Sequence, residues 1–360
     1  MSKKEIAFMK GNEALAEAAL RAGMTGYYGY PITPQSEIME YLTRQAPEYP
    51  NVTILQAESE VASVNMLYGA GGAGGRVMTS SSSPGYSLMQ EGVSYIACAE
   101  IPSVFVNVQR GGPGLGTIQP SQGDYFQAVK GGGHGDYRVI VFAPNSVQEM
   151  VDHTILAFDL ADKWRNPALI LTDGAIGQMM EKIELPEHYK FRSTEDMRAE
   201  KPWATNGRKD GRKKNLLTSL NIKSEDMERK NHELQAKYAK ICDEEVRYES
   251  YHLDDADIII SAYGLSSRIC KKVVDIGREQ GMKVGLLRPI TLWPFPSKKI
   301  DELAKKENVK LFMSIEMSVG QMVEDVKLVV NGRKPVHHYG KTGGIIFTAE
   351  DVLNQIKAKI

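Results

Sequence analysis

Short apolar runs alternate with helix-forming stretches through the first half of this chain, and glycines mark the joints. Of 33 glycines in 360 residues, many lie between Gly23 and Gly135 in small clusters. Glycine supplies tight turns and bare backbone, as the strand ends of an α/β sheet require. The pattern predicts strands over 26–30, 52–56, 76–80, 103–109, 137–142 and 168–172. Between them it predicts helices over 12–22, 34–45, 59–70, 86–99 and 147–163. Asn12, Thr33 and Ser146 are read as N-caps, with Ser146 and Glu149 forming a capping box and Gly23 closing the first helix. The expected fold class is α/β, with a doubly wound, mainly parallel sheet.

Beyond residue 180 the apolar runs fade, and Arg208, Lys209, Arg212, Lys213 and Lys214 form a basic cluster. A solvated connector is the simpler reading of such a run, and a docking surface for an acidic partner the sharper one. From Asp257 a second α/β alternation begins: strands over 258–262, 283–287 and 310–315, helices over 266–280, 298–306 and 319–330. The expected organisation is an α/β domain over 1–180, a charged connector over 181–250 and a smaller α/β domain over 251–360. About 105 residues suffice for the latter.

Composition narrows the function. Lys and Arg number 44 against 45 Asp and Glu, without the basic excess of a general nucleic-acid binder. Cys98, Cys242 and Cys270 are far apart, so no disulfide framework, zinc site or iron–sulfur cluster is expected on cysteines of this chain alone. No apolar stretch reaches membrane-spanning length, and the basic start lacks a signal-peptide core. The chain reads as cytoplasmic, with no membrane partner.

Four segments could carry chemistry. Gly29-Tyr30-Pro31-Ile32-Thr33-Pro34 joins a strand end to a helix start, the edge where open α/β sheets bind ligands. Glu58-Ser59-Glu60-Val61-Ala62 opens a helix; its acids suit the helix dipole, and a buried one could share a proton with a cofactor nitrogen. Thr79 to Gly85 is a hydroxyl-rich strand end without a nucleophile elbow, which argues against a serine hydrolase. Arg110, followed by Gly111-Gly112-Pro113-Gly114-Leu115-Gly116, ends a buried strand, where a guanidinium can hold a carboxylate or phosphate in two-pronged fashion. Each also has a plain structural use, and the glycine loop matches neither a P-loop nor a dinucleotide fingerprint, which disfavours a nicotinamide dehydrogenase.

Taken in order, these segments resemble the alpha subunit of the 2-oxoacid:ferredoxin oxidoreductases. Leu287 to Pro296, and Glu316 with Gly320-Gln321, are similar to that family's second, transketolase-C-like domain. The resemblance implies a pyrimidine-type thiamine diphosphate-binding domain followed by that smaller domain. It implies that Glu60 meets the cofactor's aminopyrimidine ring, with Tyr30, Ser82 and Pro84 around the cofactor. It also implies that Thr33, Arg110, Ile32 and Pro31 surround the substrate, the first two on its carboxylate. There is no Gly-Asp-Gly motif, so the diphosphate and Mg2+ are expected on a beta subunit. The [4Fe-4S] clusters are expected in gamma and ferredoxin-like delta subunits.

The implied reaction is coenzyme A-dependent oxidative decarboxylation of a 2-oxoacid, with electrons passing to ferredoxin. The spelling of the motifs and the length favour the branched-chain type, acting on 3-methyl-2-oxobutanoate. A 2-oxoglutarate type and a non-catalytic assembly subunit stand as alternatives.

Overall fold

The computed structural model describes residues 5–189, 194–208 and 211–360. In chain order its strands are β1 (Glu5–Lys10), β2 (Gly26–Gly29), β3 (Thr53–Gln56), β4 (Val77–Ser81), β5 (Ser103–Gln109), β6 (Ile140–Phe142), β7 (Pro167–Asp173), β8 (Met180–Leu185), β9 (Tyr248–Tyr251), β10 (Ile258–Ser261), β11 (Val284–Pro289), β12 (Thr291–Trp293), β13 (Leu311–Glu316) and β14 (Val336–Gly340). The helices needed below are α1 (Gly11–Arg21), α2 (Ser36–Gln45), α3 (Glu60–Gly72), α4 (Ser83–Leu88), α5 (Gln90–Cys98), α6 (Tyr125–Lys130) and α7 (Val147–Trp164).

Seven strands form the larger sheet in the order β12-β6-β7-β5-β4-β2-β3, parallel except for β12. Five form a second sheet, β14-β13-β10-β11-β9, parallel except for β9. β1 and β8 pair alone, antiparallel. The central strands are buried along their whole length, as sheets covered on both faces require. Their side chains alternate between two cores: Val104, Val106 and Val108 face the layer of α1, α2 and α7, whereas Phe105 faces that of α3 and α5.

The chain runs from β2 outward to β3, then crosses back over β2 to β4 and on to β5. The connections after β2 and β4 therefore leave in opposite directions. The crevice this opens at the carboxyl ends of two neighbouring strands is where such sheets take ligands. Residues 30–35 and 82–85 line it.

Several expectations need correction. Asn12 is not a cap. It is buried inside α1, and its amide donates to the Pro34 carbonyl (2.8 Å) and to Glu37 (3.0 Å). Thr33 is exposed and caps nothing, because α2 starts only at Ser36. Gln35, fully buried, is drawn inward instead: its amide donates to the Tyr30 carbonyl (2.9 Å) and its oxygen accepts from the Ser80 hydroxyl (2.8 Å). Tertiary hydrogen bonds thus hold 31–35 as a turn. The helix expected over 86–99 is split at Met89 into α4 and α5. The strand expected over 137–142 is only β6. Gly23 does close α1, at φ +77°, and Ser146 does cap α7, accepting from the Glu149 amide (3.2 Å). Glu149 completes no box with Ser146; it accepts from the Asn145 amide (2.9 Å).

The segment 181–250 carries β8 and a helix, Ser224–Glu244, whose Leu234, Tyr238 and Ile241 are buried in the core. Only its outer face is the solvated run that charge density suggests. Within the basic cluster Arg212 binds the carbonyls of Ala204 (3.2 Å) and Gly207, while Lys209 lies outside the described residues. No helix of the described residues is long and apolar enough to cross a membrane.

The two sheets are tied together. β12 pairs antiparallel with β6 at the rim of the larger sheet. Gln122 accepts from the Met317 amide (2.9 Å) and donates to the Tyr263 carbonyl (2.8 Å). Arg288 of β11 is buried and donates to Glu149 of α7 (2.8 Å) and to Glu249 (3.2 Å).

Candidate active site at the carboxyl edge of the larger sheet

Glu60 is the first residue of α3. Ser59 caps that helix, its hydroxyl accepting from the Ala62 amide (3.2 Å). The glutamate is 5% exposed, and its carboxylate has no hydrogen-bond donor among the described residues. Its oxygens are not among the fully enclosed atoms, so they stay accessible to a ligand that could supply the partner. Glu58, two residues earlier, is exposed and accepts from the Ser59 hydroxyl (2.7 Å).

Gly85 of α4 lies directly against Glu60. A Cβ at 85 would sit 2.3 Å from Glu60 Oε1 and 2.2 Å from Ser81 Oγ, so only glycine lets the chain pass. The hydroxyls of Thr79, Ser81 and Ser82 are also buried without partners. A lone carboxylate beside unpartnered hydroxyls suits a polar heteroaromatic ring edge that both donates and accepts. An aminopyrimidine has that character, so the residues present fit thiamine diphosphate. Pro84 is partly buried at the start of α4, and Tyr30 is 36% exposed at the lip of the crevice.

Arg110 follows β5 directly. Its guanidinium donates to the Thr33 carbonyl (2.9 Å) and the Leu115 carbonyl (2.9 Å). Among the described residues it has no carboxylate partner, and its Nε is buried and unpaired. Two backbone dipoles orient the cation without neutralising it, which leaves it available to an anion. The loop after Arg110 is tight: the Thr117 amide donates to the Gly111 carbonyl (2.7 Å), and Gly116 adopts φ +60°. Against it packs the backbone of Gly343–Gly344.

The structure therefore brings Thr33 to Arg110, though through the Thr33 carbonyl rather than its hydroxyl. It brings Glu60 to the Ser81–Gly85 segment. Pro31 is exposed and Ile32 partly so, on the turn that Gln35 holds. Gln35 and Asp124 are further parts of this edge that sequence reasoning does not single out, and it takes Ser83 only as one hydroxyl of the 79–85 segment. They are ordinary polar residues with no motif around Asp124 or Gln35, and only the fold shows what they touch.

With this geometry in place, comparison with known proteins decides the family. Residues 17–247 match the family model described as pyruvate flavodoxin/ferredoxin oxidoreductase, thiamine diphosphate-binding.

The chain belongs to this family of 2-oxoacid:ferredoxin oxidoreductases.

Residues 256–352 match the pyruvate:ferredoxin oxidoreductase core domain II. The chain is 51% identical to the ketoisovalerate oxidoreductase subunit VorB of Methanothermobacter marburgensis, over 97% of this chain and 96% of that one. It is 36% identical to the 2-oxoglutarate synthase subunit KorA of Methanocaldococcus jannaschii, over 97% and 98%. Among solved structures it resembles the 2-oxoglutarate:ferredoxin oxidoreductase from Magnetococcus marinus with 2-oxoglutarate, coenzyme A and succinyl-CoA bound. That match has a TM-score of 0.83 at 26% identity, spanning 100% of this chain and 66% of that one. The family assignment agrees with the α/β fold and with a thiamine diphosphate site.

Proposed function

We propose that this chain is the alpha-type subunit of an enzyme that oxidatively decarboxylates 3-methyl-2-oxobutanoate, with coenzyme A as acyl acceptor and ferredoxin as electron acceptor. The observation that carries the site is the pairing at one sheet edge of a buried, unpartnered carboxylate with an uncompensated guanidinium, Glu60 and Arg110. The substrate assignment rests on the higher identity to the ketoisovalerate subunit than to the 2-oxoglutarate subunit.

When bound, thiamine diphosphate supplies an electron sink for the pair released as carbon dioxide leaves. Glu60 holds and returns a proton at a ring nitrogen, with Tyr30, Ser82 and Pro84 around that ring. Arg110 anchors the 2-oxoacid carboxylate, Thr33 adds its hydroxyl, and Ile32 and Pro31 border the rest of the substrate. Orienting that carboxylate fixes which bond breaks. The diphosphate with Mg2+ falls to a beta subunit, and the [4Fe-4S] clusters to gamma and ferredoxin-like delta subunits. In the same reading 1–180 is the pyrimidine-type domain, 181–250 its connector and 251–360 the transketolase-C-like domain.

Reconstitution tests this. The chain alone should show no 2-oxoacid-dependent viologen reduction, and adding a thiamine diphosphate-binding chain and a cluster-bearing chain should restore it. Turnover by this chain alone would overturn the division of labour. Higher kcat/KM for 2-oxoglutarate than for 3-methyl-2-oxobutanoate would overturn the substrate.

A further inference from the structure

Between Glu60 and Arg110 lies one short connection. It is the start of α4, where Ser83 is followed by Pro84 and then by Gly85, which touches Glu60. The Ser83 hydroxyl accepts from the Arg110 backbone amide (3.0 Å). It donates to Asp124 Oδ2 (2.5 Å) and lies 3.3 Å from the Arg110 carbonyl. Asp124 Oδ2 also accepts from the Asn107 amide (2.9 Å), and the Asp124 backbone N–H donates to Gln109 Oε1 (3.2 Å). Asn107 and Gln109 both belong to β5, the strand that Arg110 directly follows. The Asp124 carboxylate is thus spent on a strand end and a helix start, and burial raises its pKa against these bonds.

We propose that Ser83, held by Asp124, is a positioning residue that keeps the substrate-binding guanidinium of Arg110 in register with Glu60. The proposal rests on the reading of Arg110 given above. The end of β5 is paired with β7 as far as Gln109 and is held beyond it by the Gly111 amide on the Gln119 carbonyl (2.9 Å), but neither contact ties it to α4. Arg110's own side chain meets only the carbonyls of Thr33 and Leu115, neither of which belongs to α4. The Ser83 hydroxyl ties the Arg110 backbone to the same helix start that presses Gly85 onto Glu60. A displacement of about 1 Å between a binding group and the reacting centre is enough to cost catalysis heavily. Asp124 acts one step further back, by fixing which way the hydroxyl points: with its proton on Asp124, its lone pair faces the Arg110 N–H.

The test uses the assembled enzyme. Ser83→Ala should raise KM for the 2-oxoacid about tenfold, because an ordinary hydrogen bond and its alignment are lost. KM for coenzyme A should stay within about twofold, and so should the dissociation constant of thiamine diphosphate measured by binding alone. Asp124→Asn, which keeps the shape, should raise the same KM by a smaller factor of about threefold. The Ser83→Ala/Arg110→Lys double variant should be no worse than Arg110→Lys, since Ser83 acts through Arg110.

If Arg110→Lys raises KM but neither Ser83→Ala nor Asp124→Asn does, or if the double variant is fully additive, the positioning role is wrong. If Arg110→Lys leaves KM unchanged, it is the underlying reading of Arg110 that fails. Losing affinity for coenzyme A and the 2-oxoacid alike in Ser83→Ala would mean general loosening and would also overturn the proposal.

Discussion

Two buried glutamates stand near strand–helix junctions of the two sheets, and they are treated in opposite ways. Glu316, at the end of β13 and fully buried, accepts from five donors: the hydroxyls of Ser314 (2.8 Å) and Ser318 (3.2 Å) and the amides of Gln321 (3.0 Å), Met322 (2.8 Å) and Val323 (3.0 Å). Glu60, after β3, has none among the described residues. The arginines repeat the contrast. Arg288 is buried against the carboxylates of Glu149 and Glu249, while Arg110 meets only carbonyls. Both arginines leave Nε unpaired, so the difference lies in charge: compensated charges in the interior hold a fold together, and an uncompensated one at a crevice is open to a ligand. In the proposed reading the second sheet is then a support and the carboxyl edge of the first the working surface.

The sharpest way to break this comparison is to neutralise both glutamates. Glu60→Gln in the assembled enzyme should lower turnover by roughly 10²- to 10⁴-fold, the scale of lost acid–base work, with thermal stability unchanged. Glu316→Gln should do the reverse, leaving kinetics intact in the folded fraction while lowering unfolding free energy by about 2–3 kcal/mol, because backbone donors are orphaned. Denaturant titration beside steady-state assays separates the two. Glu58→Gln, on the exposed neighbour, should change little; an effect equal to Glu60→Gln would assign the role to the wrong carboxylate.

Arg110→Lys comes next. It keeps the charge but loses the planar fork, and should cost roughly 30- to 1000-fold in kcat/KM. The loss should appear with 3-methyl-2-oxobutanoate, 2-oxoglutarate and pyruvate, since all present the same carboxylate. Unchanged values for all three would make Arg110 structural, like Arg288.

The interior behind the larger sheet, away from its carboxyl edge, should instead show itself through pH. His153 stacks on Phe142 beside Glu149, and burial depresses its pKa to about 4, with Glu149 acting in the opposite sense and Arg288 and Arg247 reinforcing the shift. Its folded pKa lies below its unfolded value near 6.5, so its contribution is fully present above that pH and is lost as pH falls towards 4. Between pH 7.5 and 5 this amounts to about 2 kcal/mol. His153→Gln should remove that portion of the acid slope in unfolding titrations; an unaltered slope would place the acid sensitivity elsewhere.

Thr33→Val should have the smallest effect. Its carbonyl contact with Arg110 survives the change, and it caps no helix, so melting temperature should hold and kcat/KM should fall less than for Arg110→Lys. A drop in stability of about 1 kcal/mol, the usual loss for a cap, would contradict the observed start of α2.

Much of the molecule was legible before any coordinates. Alternation of buried runs and helices identified the α/β class and most strands of both sheets, because strands covered on both faces leave short continuous apolar runs in the local sequence. Gly85 and Arg110 could be placed by their position at strand ends, and the ordered motifs pointed to the family. Caps were read less well. Asn12 and Thr33 have the right residue types, yet the chain spends Asn12 on a long-range bond to Pro34 and leaves Thr33 in a turn held by buried Gln35. The pairing of β12 with β6 and the inward packing of helix 224–244, where Tyr238 meets Trp293, were likewise invisible, since they join segments far apart in the chain.

Sequence by itself thus determined the class of sheet, the edge proposed for ligands and the residue types offered there. Tertiary structure alone decided which charges are compensated. Whether Glu60 or Glu316 finds donors, and whether Arg110 or Arg288 finds a carboxylate, depends on groups that distant strands and helices bring within about 3 Å, and hydrogen-bond energy falls away steeply beyond that distance.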